Sequence, residues 1–182
     1  MVGMDLENSH TLASRIKDWG MALGFDAVGI ASTDLGPAEG NLLAWLGAGC
    51  HGEMDYMASH SLQRVRPAEL VSGTRSVVTA RMNYLPAARD AAAGLAEGES
   101  AYVSRYALGR DYHKVLRGRL QRLAERVATE IGGFGYRVFV DSAPVMEVEL
   151  AARSGLGWRG KHSLLLCREA GSWFFLGEIY TD

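Results

Sequence analysis

Cysteine is scarce in this sequence. Cys50 and Cys167 are the only two in 182 residues and form no C-x-x-C pair. A disulfide framework, a zinc ribbon and a four-cysteine iron–sulfur site within one chain are all excluded. Charge of one sign is lacking too, since 19 Lys and Arg stand against 21 Asp and Glu for a formal net charge of −2. That balance gives no global pull toward nucleic acid or anionic lipid, so any RNA contact needs a local patch or another part of the protein. No apolar run approaches the ~20 residues that a membrane-spanning helix requires. The opening MVGMDLENSHTLASRIKDWG has neither the basic n-region nor the apolar h-region of a secretory signal. The expectation is a soluble, cytoplasmic protein with no membrane partner. The histidines at 10, 51, 60, 113 and 162 show no ligand spacing, so no metal site is read from them.

What is present is ordinary globular composition, 48% hydrophobic and 22% charged, with length for one sizeable core. Leu12, Ile16, Trp19 and Leu23 predict an amphipathic helix over 9–24, capped by Ser9 or Asn8 and ended by Gly24. DAVGIAS (26–32) reads as a strand, 38–48 as a helix and RSVVTARMNY (75–84) as a second strand. Residues 49–67 read as irregular, with Pro67 opening a short helix. The Ala- and Gly-biased stretch 85–100 reads as a mobile surface loop.

The strongest helix signal is the stripe Leu116, Leu120, Leu123, Val127 and Ile131, stopped by GGFG. A strand over 136–140 follows, then a helix over roughly 144–154. The apolar runs SLLLC and WFFLGEIY, separated by REAGS, read as a hairpin. The sum is a mixed α/β sheet, an α+β domain spanning residues 1–182. The sequence stops at Asp182 within or beside a strand, as a truncated protein or an isolated domain would.

Four motifs bear on chemistry. GLGWRG (155–160) matches G-x-G-x-x-G, but a helix precedes it and a strand follows, the reverse of a dinucleotide site. Gly155 reads better as the residue just past a helix end, in the left-handed region. The loop with Arg159, Lys161 and His162 is equally compatible with cradling an anionic or amide-rich ligand and with a solvated connection. DYHKVL (111–116) begins like the D-x-H-x-x-G box that supplies histidine to cobalt, with Leu116 in place of glycine. Its plain reading makes Asp111 a helix cap and Tyr112 a packing residue. Arg119, Arg122 and Arg126, broken by Glu125 and Glu130, read as a solvated flank. Asp141, at the end of the strand YRVFV, reads either as the cap of the next helix or as an acid aimed into a site. Capping would keep it ionised, whereas a general acid needs a raised pKa. Ser142 could cap in its place.

The blocks RYALGRDYHKVLRGRLQRLA and FVDSAPVMEVELAARSGLGWRGKHSLLLCREAGSWFFLGEIYTD closely resemble the N-terminal half of the epoxyqueuosine reductases. GEMDYM and SVVTARMNYLP resemble earlier blocks of that family in the same order, so the likeness covers nearly the whole chain. The resemblance implies a nitroreductase-like domain, akin to cobalamin-processing proteins, that holds base-off cobalamin. It implies removal of the epoxide oxygen of epoxyqueuosine at the tRNA wobble position, with two electrons and loss of water. In that family a domain with two [4Fe-4S] clusters and a set of helical repeats follow. Their cysteine run is absent here, so an external electron donor is expected.

By the same resemblance the proton-donating aspartate falls on Asp141 and a substrate-lining pair on Asp111 and Tyr112. Ser142, Gly157, Trp158, Lys161 and His162 fall among the cofactor's neighbours. Some relatives carry arginine where this chain has Val148. Electron-rich reduced cobalamin would favour the protonated form of a nearby buried carboxyl. A stand-alone cobalamin carrier and a flavin-dependent reductase on the same scaffold are the alternatives.

Overall fold

The computed structural model describes residues 6–85 and 90–182. In chain order the elements are α1 (Leu6–Ala22), β1 (Ala27–Ser32), α2 (Pro37–Gly47), α3 (Asp55–Ser59), α4 (Ser61–Val65), α5 (Pro67–Leu70) and β2 (Ser76–Asn83). They continue with α6 (Ala91–Ala96), α7 (Tyr112–Ile131), β3 (Tyr136–Phe139), α8 (Glu147–Arg153), β4 (Trp158–Arg159), β5 (Leu165–Leu166) and β6 (Phe174–Thr181). The central sheet has the order β1-β2-β6-β3, and every neighbour pair is antiparallel. This is the α+β domain that the sequence predicts.

The sheet is covered on both faces, which is why its strands read as nearly continuous apolar runs rather than alternations. One face packs on α1 and α7 through Ile16, Val28, Val78, Ile179 and the leucines of α7. Leu116, Leu120 and Leu123 are fully buried, each worth about 1.5–3 kcal/mol of apolar transfer. The expected stripe is correct except at its end, where Ile131 is exposed. Gly132 then adopts φ 84 and closes the helix, its amide donating to the Ala128 carbonyl. The opposite face packs on α2 and α8 through Ala31, Ala38, Val77, Leu150 and Tyr180.

Several local expectations are corrected. Helix α1 begins at Leu6, so Asn8 and Ser9 lie inside it and do not cap it. The stretch 49–67 contains α3 and α4, and 85–100 contains α6, capped by the Asp90 carboxylate on the Ala93 amide at 2.9 Å. Residues 86–89 of that stretch lie outside the described residues.

The SLLLC run does not pair with WFFLGEIY. β5 pairs with β4, Trp158 opposite Leu166, while only the isolated Cys167–Gly171 bridge spans REAGS. β6 is buried on both faces and needs a partner on each edge, which β2 and β3 supply. The arginines of α7 are not merely solvated. Arg119 donates to the Gly24 carbonyl, and Arg126 stacks over Trp19 at 5.0 Å.

Candidate functional site

Neither reading of Asp141 and Ser142 as a helix cap survives. Helix α8 starts at Glu147, its N-cap is Met146, and no side chain caps it. Pro144 disfavours helical backbone at Ala143, so the chain runs on through a tight turn before α8 can begin. In that turn the Ser142 amide donates to the Val140 carbonyl at 2.8 Å. Asp141 takes φ 56, a left-handed conformation that aspartate tolerates better than most residues. The buried Phe139 and Val140 anchor the strand end, and the turn projects the carboxylate away from them.

The carboxylate meets the start of α7. Asp111 caps that helix, its Oδ1 accepting from the His113 amide at 3.0 Å. Capping sets the first-turn geometry, and the turn presents Tyr112 and His113 toward Asp141. The Tyr112 hydroxyl donates to Asp141 Oδ2, and His113 Nε2 lies 3.1 Å from the same oxygen. His113 Nδ1 lies 3.0 Å from Asp111 Oδ1. Each ring nitrogen of His113 thus faces a carboxylate oxygen, and which of them donates is set by the tautomer. The result is a chain of polar groups from Asp111 through His113 to Asp141 and Tyr112.

The electrostatics follow from these contacts. The hydrogen bond from His113 holds the Asp111 carboxyl below the usual carboxylate range. Burial, and then the bond to Asp141, push the Tyr112 phenol upward, so it remains a donor at neutral pH. The Tyr112 ring is fixed by stacking on Phe175 at 4.0 Å and 2° and on His113 at 4.0 Å.

Asp141 and Tyr112 open on a cavity of about 190 Å³, shared with Glu147, Val148, Leu164 and Phe174. On the far side of the Tyr112–Phe175 stack is a wider cleft of about 510 Å³, walled by Tyr84, Tyr106, Arg105 and Arg110. Burial first, and then the charge of Asp141, raise the Glu147 carboxyl to about 7. Glu178 on β6 is only 1% exposed, and neither of its carboxylate oxygens has a partner. Burial, followed by the charge of Glu147, drives its pKa well above the usual range.

The structure thus brings Asp141, Asp111 and Tyr112 into one cluster. It places Ser142, Gly157, Trp158, Lys161 and His162 outside the cavity lining. The hairpin that carries four of them contributes Leu164 and Leu165 to the wall instead. Gly155 adopts φ 81 just past α8, as expected of a helix end rather than a dinucleotide turn. Gly157 is where β4 and β5 touch most closely, since a Cβ there would lie 2.1 Å from the Leu166 carbonyl oxygen.

Three residues of the site are missing from the sequence expectations. His113 was visible in the D-x-H box, discounted because Leu116 breaks the motif. Glu147 and Glu178 gave no signal, because a glutamate in an amphipathic helix or near a strand end reads as a solvent-facing residue. Among the described residues no group of three or more His, Cys, Asp or Glu is placed to hold a metal ion. No helix among them is long and apolar enough to cross a membrane.

Comparison with known proteins bears on this geometry. A family model described as epoxyqueuosine reductase QueG, DUF1730, matches residues 64–142, which include Asp111, Tyr112, His113 and Asp141. Epoxyqueuosine reductase of Burkholderia pseudomallei is 64% identical over 94% of this chain and 46% of its own length. The Pseudomonas aeruginosa enzyme is 60% identical over 94% of this chain and 47% of its own length. The chain therefore spans about half the length of the curated relatives it matches. A crystal structure of an epoxyqueuosine reductase with an epoxyqueuosine-modified tRNA-Tyr stem loop has the same fold. It gives a TM-score of 0.76 at 22% identity, covering 96% of this chain and 46% of the other.

Proposed function

We propose, starting from the likeness of this sequence to the epoxyqueuosine reductases, that the Asp141 cavity is where the epoxide of epoxyqueuosine in tRNA is opened and reduced. The observation that carries the reading is the placement of Asp141. It stands off the end of β3 in left-handed backbone, held by Tyr112 and His113, and faces a cavity with a second acid at its back.

Epoxide opening develops negative charge on the departing oxygen, and a positioned acid within hydrogen-bond reach lowers that barrier by about 10²–10⁴ in rate. Removing the oxygen as water consumes two electrons and two protons. Asp141 delivers a proton to the oxygen. Tyr112 and His113 fix the carboxyl's direction, and Asp111 fixes the His113 ring. Tyr112, facing both cavities, orients the ring hydroxyls of the substrate. The aromatic and basic cleft beyond it suits an unpaired nucleotide, with rings for stacking and guanidinium groups for phosphate.

Cobalamin, when bound, supplies the electrons. Residues at and near the cavity would hold it. Both nitrogens of His113 face carboxylates, which keeps that ring engaged within the cluster. The exposed Leu164 and Trp158 offer apolar surface beside the cavity, and Lys161 and His162 offer donors to the cofactor's amides. The two cysteines are too few for the four thiolates of a [4Fe-4S] cluster.

An anaerobic absorbance titration with hydroxocobalamin, with FMN in parallel, tests the cofactor. Saturable base-off binding and no FMN binding are expected; FMN binding without a cobalamin signal would transfer the fold to flavin chemistry. Turnover is tested on the chain loaded with cobalamin, reduced by titanium(III) citrate and given an epoxyqueuosine-bearing stem loop. Asp141→Asn, which tolerates the same backbone, is expected to lose about 100-fold or more in rate while still binding the cofactor. Near-native turnover in that variant would remove Asp141 from its role.

A further inference from the structure

The reaction read above needs two protons at the cavity, and a single carboxyl at Asp141 holds one. Asp141 supplies the first proton, and the second must come from a further group at the cavity. The store has to lie on another wall.

That wall is acidic, with Glu147 half-buried and Glu178 buried behind it. Glu147, the first residue of α8, shares the cavity with Asp141 and Tyr112. Behind it, Phe174, Leu176, Glu178 and Tyr180 follow one another along one face of β6, and Phe174 and Leu176 line the same cavity. Glu178 lies in a cross-strand row with Thr79 and Gly29. The Thr79 hydroxyl in that row is satisfied by Ser154 Oγ at 2.6 Å, whereas both Glu178 oxygens and the Tyr180 hydroxyl have no partner. A carboxylate with nothing to compensate it is too costly to bury, so Glu178 is neutral.

The charged and titratable groups that face Glu147 are few. They are Asp141 on the turn before α8, Tyr112 on α7 and Glu178 on β6, with Tyr180 beyond it. Arg81 of β2, opposite Leu176 on this face, makes no ion pair with either glutamate, and its buried Nε and Nη1 have no partner. Its Nη2 reaches Glu169 at 3.5 Å and its guanidinium lies 5.5 Å over the Phe174 ring. Among the described residues Glu147 therefore has an acid in front, an acid behind and no ion pair, and burial raises its proton affinity to the neutral range.

We propose that Glu147 is the proton store of this site, a positioning residue that returns a proton to Asp141 across the cavity they share. The inference rests on the epoxide-reducing reading above. In the step, one proton leaves the Glu147 carboxyl and arrives on the Asp141 carboxylate, and no electron moves. Glu147 is left as a carboxylate and is recharged from bulk water when the cavity is open. The transfer is drawn forward because the oxygen leaving the substrate consumes the proton on Asp141. Two deliveries through Asp141 then account for the two protons in the released water.

Infrared difference spectroscopy of the chain alone tests the store without cofactor. A protonated-carboxyl band should vanish with a midpoint near the value of about 7 that burial gives Glu147. Glu147→Gln should abolish that band, Glu147→Asp should keep it, and Asp141→Asn should move it to lower pH by removing the facing charge. Beside the band of the neutral Glu178, a band with that midpoint that persists in Glu147→Gln, or a native chain with none, overturns the proposal. In cobalamin-loaded single turnover, the native rate should fall above neutral pH. In Glu147→Gln the fall should begin at lower pH, making the variant about tenfold slower near neutrality and nearly native in acid. Glu147→Asp should restore the native profile, which a loss of packing alone would not do. An unchanged profile in Glu147→Gln overturns the store while leaving the reaction in place. A native chain that titrates as described but never turns over overturns the epoxide reading, and with it the assignment of the store to that reaction.

Discussion

At the scale of single residues, the site is governed by which hydrogen bonds Asp141 accepts. Tyr112 contributes a hydroxyl to Asp141 and a ring to Phe175, and the two can be separated. Tyr112→Phe keeps the stack and removes the donor. A hydrogen bond to a charged group is worth about 1.5–3 kcal/mol, so turnover should drop roughly ten- to a hundredfold with little change in Tm. A parallel loss of Tm would mean that the hydroxyl serves the fold rather than the reaction. Much of this cluster was legible in the sequence. Asp111 beside Tyr112 announces a helix start, and Asp141 after a buried strand end announces an exposed carboxyl. Asp111 was expected as a cap from its position and as a lining residue from the resemblance, and the structure shows the cap, through the bond from the His113 amide. Glu147 and Glu178 were illegible. Their burial is decided by α8 and β6 packing together, and no local pattern encodes that distance.

Among the elements, long amphipathic helices were the easiest to read and short strands the hardest. Helix α7 carries its own evidence in five turns of apolar spacing. β5 has two residues, and its apolar run is equally consistent with pairing to the strand before or after it. What decides its partner is Gly157, where absence of a side chain lets the Leu166 carbonyl approach. Gly157→Ala would put a methyl 2.1 Å from that oxygen, a backbone contact that no rotamer change relieves. The variant should lose about 1–3 kcal/mol of stability. It should also lose amide-exchange protection across 158–166 while α7 keeps its own. Uniform deprotection of both would show that the hairpin and the central sheet open as one unit. Because Leu164 and Leu165 wall the Asp141 cavity, cofactor binding should weaken along with the hairpin.

For the molecule as a whole, the buried acids behind Asp141 make stability depend on pH in a direction set by their shifts. Glu147 is raised from an ordinary value of 4.5 to about 7, and Glu178 is raised as well. The folded state therefore binds protons that the unfolded chain gives up. The stability this confers is complete below the unfolded carboxylate pKa and is lost as pH rises through the folded one. Asp111, Glu39, Glu130 and Glu169 are shifted the other way by their partners. They lie at the surface and oppose only in stronger acid, below the unfolded carboxylate range. Stability should thus peak in mild acid and decline toward and past neutrality, by an amount on the order of a few kcal/mol. Glu147→Gln carries no charge at any pH, so part of the decline should disappear and the variant should be more stable than the native chain in mild alkali. Urea unfolding at a series of pH values measures it directly. Native stability that is flat or rising from mild acid to mild alkali would mean that both glutamates ionise without penalty, and that their carboxylates find compensation the fold does not now display.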